Sequence, residues 1–174
     1  MVTNGFINTE PLNELLPYID AMNIDLKSMD DEFYKRICKS RLQPVLETIK
    51  TASKNCHIEI TNLLVTDEND SEKNIRKLVD FVAEVNPEIP LHFSRYFPVY
   101  KMTNPSTPIS RLKRAQEIAE EKLSYVYIGN VMTEKDTLCP NCNHLVIKRG
   151  WTIKCDILSG KCPGCCHKIY GEFR

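Results

Sequence analysis

The chain has 174 residues, 42% hydrophobic and 26% charged, which suits one ordinary domain with a small appendage and is too apolar for a disordered chain. Lys plus Arg and Asp plus Glu both number 23, so charge gives no reason to expect nucleic acid or an anionic membrane as the main partner. No apolar run approaches the length of a membrane-spanning helix, and Met1 is followed at once by fold-like sequence, so the expected compartment is the cytoplasm.

The opening "VTNG" reads as the end of a strand followed by a Gly turn. A short helix follows, with Thr9 as its N-cap, Pro11 in the first turn, Leu12, Leu15 and Leu16 on one face, and Pro17 at its stop. "AMNIDL" is the next strand. "DDEFYKRIC" is a brief helix with Phe33, Tyr34 and Ile37 inward, and "LQPVLETIKTA" is a second helix. "HIEITNLLV" is β-branched and of strand length. The next segment is the clearest helix, capped by Asp70 or Ser71, with Ile75, Leu78, Val79, Val82 and Val85 in one stripe. "PLHF" is a strand, "SRLKRAQEIAEEKL" a helix and "YVYIG" a strand. Alternating strands and helices imply right-handed βαβ units and a mainly parallel sheet. Five strands are too few for an eight-stranded barrel.

In parallel α/β folds, ligands sit at the carboxyl ends of the strands. Here those ends carry Asn4, then Asp25 and Lys27, then Thr61, then His92, and finally Gly129 and Asn130. Asp25 and Lys27 are two apart and project to the same side of an extended chain. A carboxylate and an ammonium there can grip a zwitterionic or ribose-bearing ligand. The plainer reading of each alone is a solvated strand end or a structural ion pair. His92 also reads as a hydrogen-bonded core histidine.

Six of the eight cysteines lie after position 138. In a reducing compartment such a cluster points to metal rather than disulfides. "CPNC" and "CPGC" place Cys139 and Cys142, then Cys162 and Cys165, with nineteen residues between the pairs. That is the spacing of a four-thiolate structural zinc site on a β-ribbon. Zinc is favoured over a single iron because a closed structural site is its commoner use. Four thiolates leave no open position for hydrolysis. Cys166 is a candidate competitor of Cys165, and His144 and His167 are candidate alternative ligands. Cys38 and Cys56 read as small buried hydrophobes.

Taken together, "TNG", "IDLK", "HIEITNLLV", "PLHFSRYFP", "YVYIGNV" and the terminal "CP.C…CP.C" resemble a radical S-adenosylmethionine (SAM) protein. The subgroup is the radical enzyme of the AmmeMemoRadiSam system, related to glycyl-radical activating enzymes such as pyruvate formate-lyase activase. The resemblance implies an incomplete parallel (β/α) partial barrel over residues 1–132 and a zinc ribbon over residues 133–174. It implies SAM and a [4Fe–4S] cluster as cofactors, with reductive cleavage of SAM and hydrogen abstraction from an unidentified substrate, a protein being one candidate. By the same resemblance Asn4, Asp25, Lys27, Thr61 and His92 lie near the cofactor, and Thr61 falls where the activases carry Arg. The cluster motif C-x-x-x-C-x-x-C does not occur in these 174 residues. The chain is therefore expected to be the carboxyl part of a longer enzyme, inactive alone, with its cluster loop upstream or on another chain. The implied partners are AMMECR-type and MEMO-type proteins and a chain supplying the amino-terminal part; neither nucleic acid nor a membrane is expected. The competing reading is a zinc-ribbon module on an α/β scaffold that docks a protein.

Overall fold

A computed structural model describes residues 1–132 and 135–173. Its first 131 residues alternate strand and helix as expected: β1 (Val2–Thr3), α1 (Thr9–Leu15), β2 (Ala21–Asp25), α2 (Asp31–Phe33), α3 (Leu42–Ala52), β3 (His57–Leu64), α4 (Glu72–Val85), β4 (Leu91–Arg95), α5 (Ile109–Glu120) and β5 (Val126–Gly129). A 3-10 turn, Leu16–Tyr18, follows α1, and a π-helical turn, Tyr34–Cys38, continues α2.

The five strands form one parallel sheet in the order β1-β2-β3-β4-β5. Spatial order equals chain order. Each crossover turns the same way, since βαβ connections are right-handed, so the helices collect on one face. Burial along the strands agrees. Met22, Ile24, Ile58, Ile60, Leu64, Leu91, Phe93 and Val126 are buried on the helix side. The alternating residues Asn23, Asp25, Glu59, Thr61, His92, Ser94 and Tyr127 are only half-buried. One face is thus core and the other is a polar wall. Each large aliphatic side chain buried on the core face contributes roughly 1.5–3 kcal/mol of transfer free energy.

Helix α4 shows how local sequence sets this arrangement. The Ser71 hydroxyl accepts the Asn74 N–H at 3.3 Å and caps the helix. Ile75, Leu78, Val79 and Val82 recur at helical spacing and are buried against the sheet side. Gly5 makes the turn out of β1 at φ +71°, and a Cβ there would lie 2.9 Å from Ile24 Cγ2 and 3.0 Å from Val45 Cγ1. The turn therefore needs glycine for its dihedral angles and for its clearance.

A second unit follows Val131. There β6 (Thr137–Leu138), β7 (Leu145–Lys148) and β8 (Lys154–Cys155) pair antiparallel in that order. The expected boundary between 132 and 133 abuts Thr133 and Glu134, which lie outside the described residues. The fold class is as the sequence indicates: a parallel α/β sheet followed by a small four-cysteine unit.

Several local expectations need correction. The N-cap position of α1 is Asn8, and Thr9 is already helical. Leu15, the last residue of α1, is 42% exposed, whereas Leu12 and Leu16 are buried. Cys38 and Cys56 are half-buried rather than buried, and burial pushes both thiols up.

Gly5→Ala is expected to destabilise the chain by about 2 kcal/mol or more, from left-handed strain and overpacking. Urea denaturation of both proteins measures it, and an unchanged midpoint would show that the turn relaxes freely.

Candidate functional site

Strand register brings the polar residues together. Asp25 is the partner of Thr61, Thr61 of His92, and His92 of Tyr127. These four residues form one row across the helix-free face. The row is level because the strands are staggered: Asp25 ends β2, Thr61 is mid-strand in β3, and His92 is the second residue of β4. His92 is therefore not at the end of its strand, as its sequence position suggests; Arg95 is. The stagger is the shear that tilts strands in a barrel wall.

Lys27 lies just past β2 and reaches back, with its Nζ 2.9 Å from Asp25 Oδ2. Both side chains keep part of their surface open, 31% for Lys27 and 26% for Asp25. The Thr61 hydroxyl donates to Asn23 Oδ1 at 2.9 Å. His92 stacks on Tyr127, with ring centroids 5.2 Å apart and planes at 26°. Asn4 stands apart from this row: it is exposed, and its Oδ1 accepts the Phe6 N–H at 3.0 Å.

A second row sits one pleat down. Glu59 Oε2 lies 2.9 Å from His92 Nε2, and Glu59 Oε1 lies 3.6 Å from His57 Nε2. The two imidazoles hold the Glu59 carboxyl well below the usual carboxylate range, against the opposing effect of burial. Glu59 is ionised at neutral pH and ties the first row to the second. The period of two in "HIEIT" puts His57, Glu59 and Thr61 on one face, whereas their link to the next strand depends on strand pairing.

Asn62 points the other way. It is 1% exposed, and its Nδ2 donates to the carbonyl oxygens of Leu26 at 2.7 Å and Lys27 at 3.1 Å. Glu59 and Thr61 line the open face, whereas Asn62 anchors the segment that carries Lys27.

In the second unit, the four sulfurs of Cys139, Cys142, Cys162 and Cys165 lie within 4.8 Å of one another. Cys139 and Cys165 Sγ are 3.7 Å apart, and Cys142 and Cys162 Sγ 3.6 Å. A tetrahedral site with metal–sulfur bonds of about 2.3 Å needs sulfurs about 3.8 Å apart. The donor set fits a closed four-thiolate metal site.

The two knuckles are conformational copies. Cys139 N–H donates to His144 O at 2.8 Å, and Cys162 N–H to His167 O at 2.9 Å. Asn143 and Cys166 take the left-handed positions, φ +59° and +62°, and return N–H bonds to the carbonyls of Cys139 and Cys162. Cys166 thus fills a turn position, and among the described residues it is outside the four-sulfur group, as are His144 and His167. The Asn141 side chain and the His167 backbone N–H hold the Cys165 thiol down, to about 6. Against the His144 backbone N–H, hydrogen bonds among the sulfurs push the Cys142 thiol up, so the thiolate of the group rests on Cys165.

Residues 1–82 match the radical SAM superfamily. An uncharacterized protein of Methanocaldococcus jannaschii is 47% identical over 179 residues, covering 97% of this chain and 53% of that protein. The 4-hydroxyphenylacetate decarboxylase activating enzyme of Clostridium scatologenes is 30% identical over 83 residues, 46% of this chain and 27% of that enzyme. The chain thus spans about half the length of the first relative and about a quarter of the second. The crystal structure of a domain of pyruvate-formate lyase-activating enzyme from Bacteroides vulgatus superposes with a TM-score of 0.64 at 23% identity. That match covers 74% of this chain and 79% of that domain. The α/β unit has a radical SAM-like fold. Among the described residues, no helix is long and apolar enough to cross a membrane.

Two outcomes follow from this geometry. Glu59 has a depressed carboxyl in the folded state, so its contribution to stability is present above its ordinary value of 4.5 and is lost as pH falls below it. Glu59→Gln should therefore lose less stability than the parent between about pH 6 and about pH 3, read from urea midpoints at each pH. Parallel pH curves would remove the inferred link to the imidazoles. The cysteine cluster should hold about one metal ion per chain, and Cys139→Ser should abolish it, by elemental mass spectrometry of the purified proteins. Equal metal content in both would refute the site.

Proposed function

We propose that this chain supplies the SAM-binding side of a radical SAM enzyme of the glycyl-radical activase type. The carrying observation is the row Asp25, Thr61, His92 and Tyr127 on the helix-free face, with Lys27 folded back onto Asp25. When bound to a reduced [4Fe–4S] cluster, SAM supplies one-electron cleavage chemistry and hydrogen abstraction. This chain's residues bind and orient it. Asp25 and Lys27 satisfy each other in its absence and can each turn a partly open side to a zwitterionic ligand or a ribose hydroxyl. The His92–Tyr127 stack offers a flat wall for an adenine ring. Asn4, at the turn after β1, is assigned to the same pocket on the strength of the resemblance, and Thr61 is assigned on its place in the row.

The cluster thiolates are assigned to residues outside this sequence, since its cysteines contain no C-x-x-x-C-x-x-C. Alone, the chain is proposed to bind SAM without cleaving it. The four-cysteine unit is assigned a structural zinc, because its donors close the tetrahedron. The AmmeMemoRadiSam assignment, a cytoplasmic location, and AMMECR-type and MEMO-type partners are the finer reading that the resemblance supports.

A second reading, a protein-docking zinc ribbon, is favoured by one observation: Trp151, Ile153 and Leu158 are highly exposed on the cysteine-rich unit. SAM binding separates the two. Equilibrium dialysis with radiolabelled SAM should show saturable binding to the parent chain, weakened about tenfold or more by Asp25→Ala. No binding to the parent would overturn the cofactor reading and leave the docking module.

A further inference from the structure

The segment that carries Lys27 leaves the sheet after Leu26 and belongs to no regular element, yet its backbone polar groups are held by side chains. The Lys27 carbonyl accepts Asn69 Nδ2 at 2.6 Å as well as Asn62 Nδ2 at 3.1 Å. The Lys27 N–H donates to the Tyr34 hydroxyl at 3.0 Å, and burial pushes that hydroxyl up, so it stays neutral. Two residues on, the Met29 N–H donates to Asn74 Oδ1 at 2.9 Å and the Ser28 hydroxyl to the same oxygen at 3.1 Å. Ser28 Oγ in turn accepts the Asp30 N–H at 3.1 Å.

Asn74 and Asn69 are themselves connected, and Asn62 joins them at the Lys27 carbonyl. Asn74 Nδ2 donates to the Asn69 carbonyl at 2.7 Å. Asn69 Oδ1 accepts the Val65 N–H at 2.6 Å, and its Nδ2 also donates to Leu63 O at 2.9 Å. Asn69 and Asn62 are 1% exposed, and Ser28 is fully buried. We propose that Asn62, Asn69 and Asn74 are positioning residues. They form a ladder of side-chain amides that runs from the first turn of α4 through the β3–α4 turn to the backbone of Lys27, and it sets the Asp25–Lys27 pair.

An irregular segment beside a sheet must satisfy its carbonyls somehow, so hydrogen bonding alone does not make a positioning device. What distinguishes this set is convergence. Lys27 is fixed at its N–H by Tyr34 and at its carbonyl by two amides, from two different parts of the chain. The side chain between those anchors remains partly open and faces Asp25. A residue so held has few backbone torsions left to vary, which is how a binding group keeps its aim without its ligand. The ladder's role at a cofactor site rests on the function proposed above; its role in holding Lys27 against Asp25 does not.

The test uses Asn74, because it is half-buried on a helix where Ala is well tolerated. Lysine labelling of the whole chain with acetic anhydride, read by peptide mass spectrometry, gives the reactivity of Lys27 relative to the exposed Lys73. In Asn74→Ala this ratio should rise severalfold, and amide exchange at Met29 and Asp30 should accelerate about tenfold. Asn74→Asp keeps the acceptor for Met29 and Ser28 but loses the donor to the Asn69 carbonyl, so it should restore exchange at Met29 and Asp30 and leave the Lys27 ratio raised. A ratio and exchange unchanged in Asn74→Ala would overturn the proposal. So would a rise matched throughout β3 and α4, which signals general loosening. SAM dialysis on the same proteins is scored separately. A parent that fails to bind SAM overturns the cofactor reading, while the labelling ratio still decides whether the ladder sets Lys27.

Discussion

The molecule depends on one topological constraint. Five parallel strands lie side by side in chain order, and right-handed crossovers then force the connecting helices to one face. A doubly wound sheet would bury both faces and could not afford ionisable residues on either. Here only one face must be apolar. Strand alternation therefore sorts residues cleanly: Ile58, Ile60 and Leu64 go to the core, and His57, Glu59 and Thr61 to the open wall. The polar wall follows from the winding and is not an added feature of particular loops.

Charge on that wall is managed in pairs. A lone carboxylate on a half-buried strand loses hydration and gains nothing for it. Glu59 lies within reach of two imidazoles, and Asp25 lies against Lys27, so each carboxylate has a polar partner within the wall. The two pairs differ in how their members are held. Glu59, His57 and His92 sit within regular strands, and the ladder fixes their backbones. Lys27 lies beyond the end of β2, where no strand ladder reaches. Side-chain amides from the helix side supply its fixed geometry instead. Polar residues thus serve on both faces of the sheet, offered outward on one and satisfying backbone on the other.

Sequence reading recovered the elements of the sheet because their periods are strong. "HIEITNLL" alternates with a period of two, and α4 repeats its apolar residues at helical spacing. The cysteine cluster was legible because C-x-x-C spacing is a local geometric constraint. The position of His92 was not. Its place level with Asp25 depends on strand stagger, which is a property of pairing and leaves no trace in either strand alone. Asn62 illustrates the same limit. It reads as one more polar residue beside Thr61, yet one step along a strand reverses the face. The amide ladder was invisible for a related reason: Asn69 and Asn74 look like ordinary turn and helix-start residues until the fold brings Lys27 to them.

The two units divide the chemistry between them. In the cysteine unit the four sulfurs cluster within 4.8 Å, two pairs of them at the separation a closed tetrahedron needs, and each knuckle repeats the same left-handed turn. A metal held this way gains coordination from the protein alone and has no vacant position for a substrate. Its contribution is to order a short chain whose strands are only two to four residues long and too small to supply a core of their own. The sheet unit is the reverse case. Its core is large, and the polar groups of its open wall partner one another. In one unit four thiolates offer a metal a closed coordination shell. In the other, part of the surface of Asp25 and Lys27 stays uncovered, which is the feature the proposed cofactor reading uses.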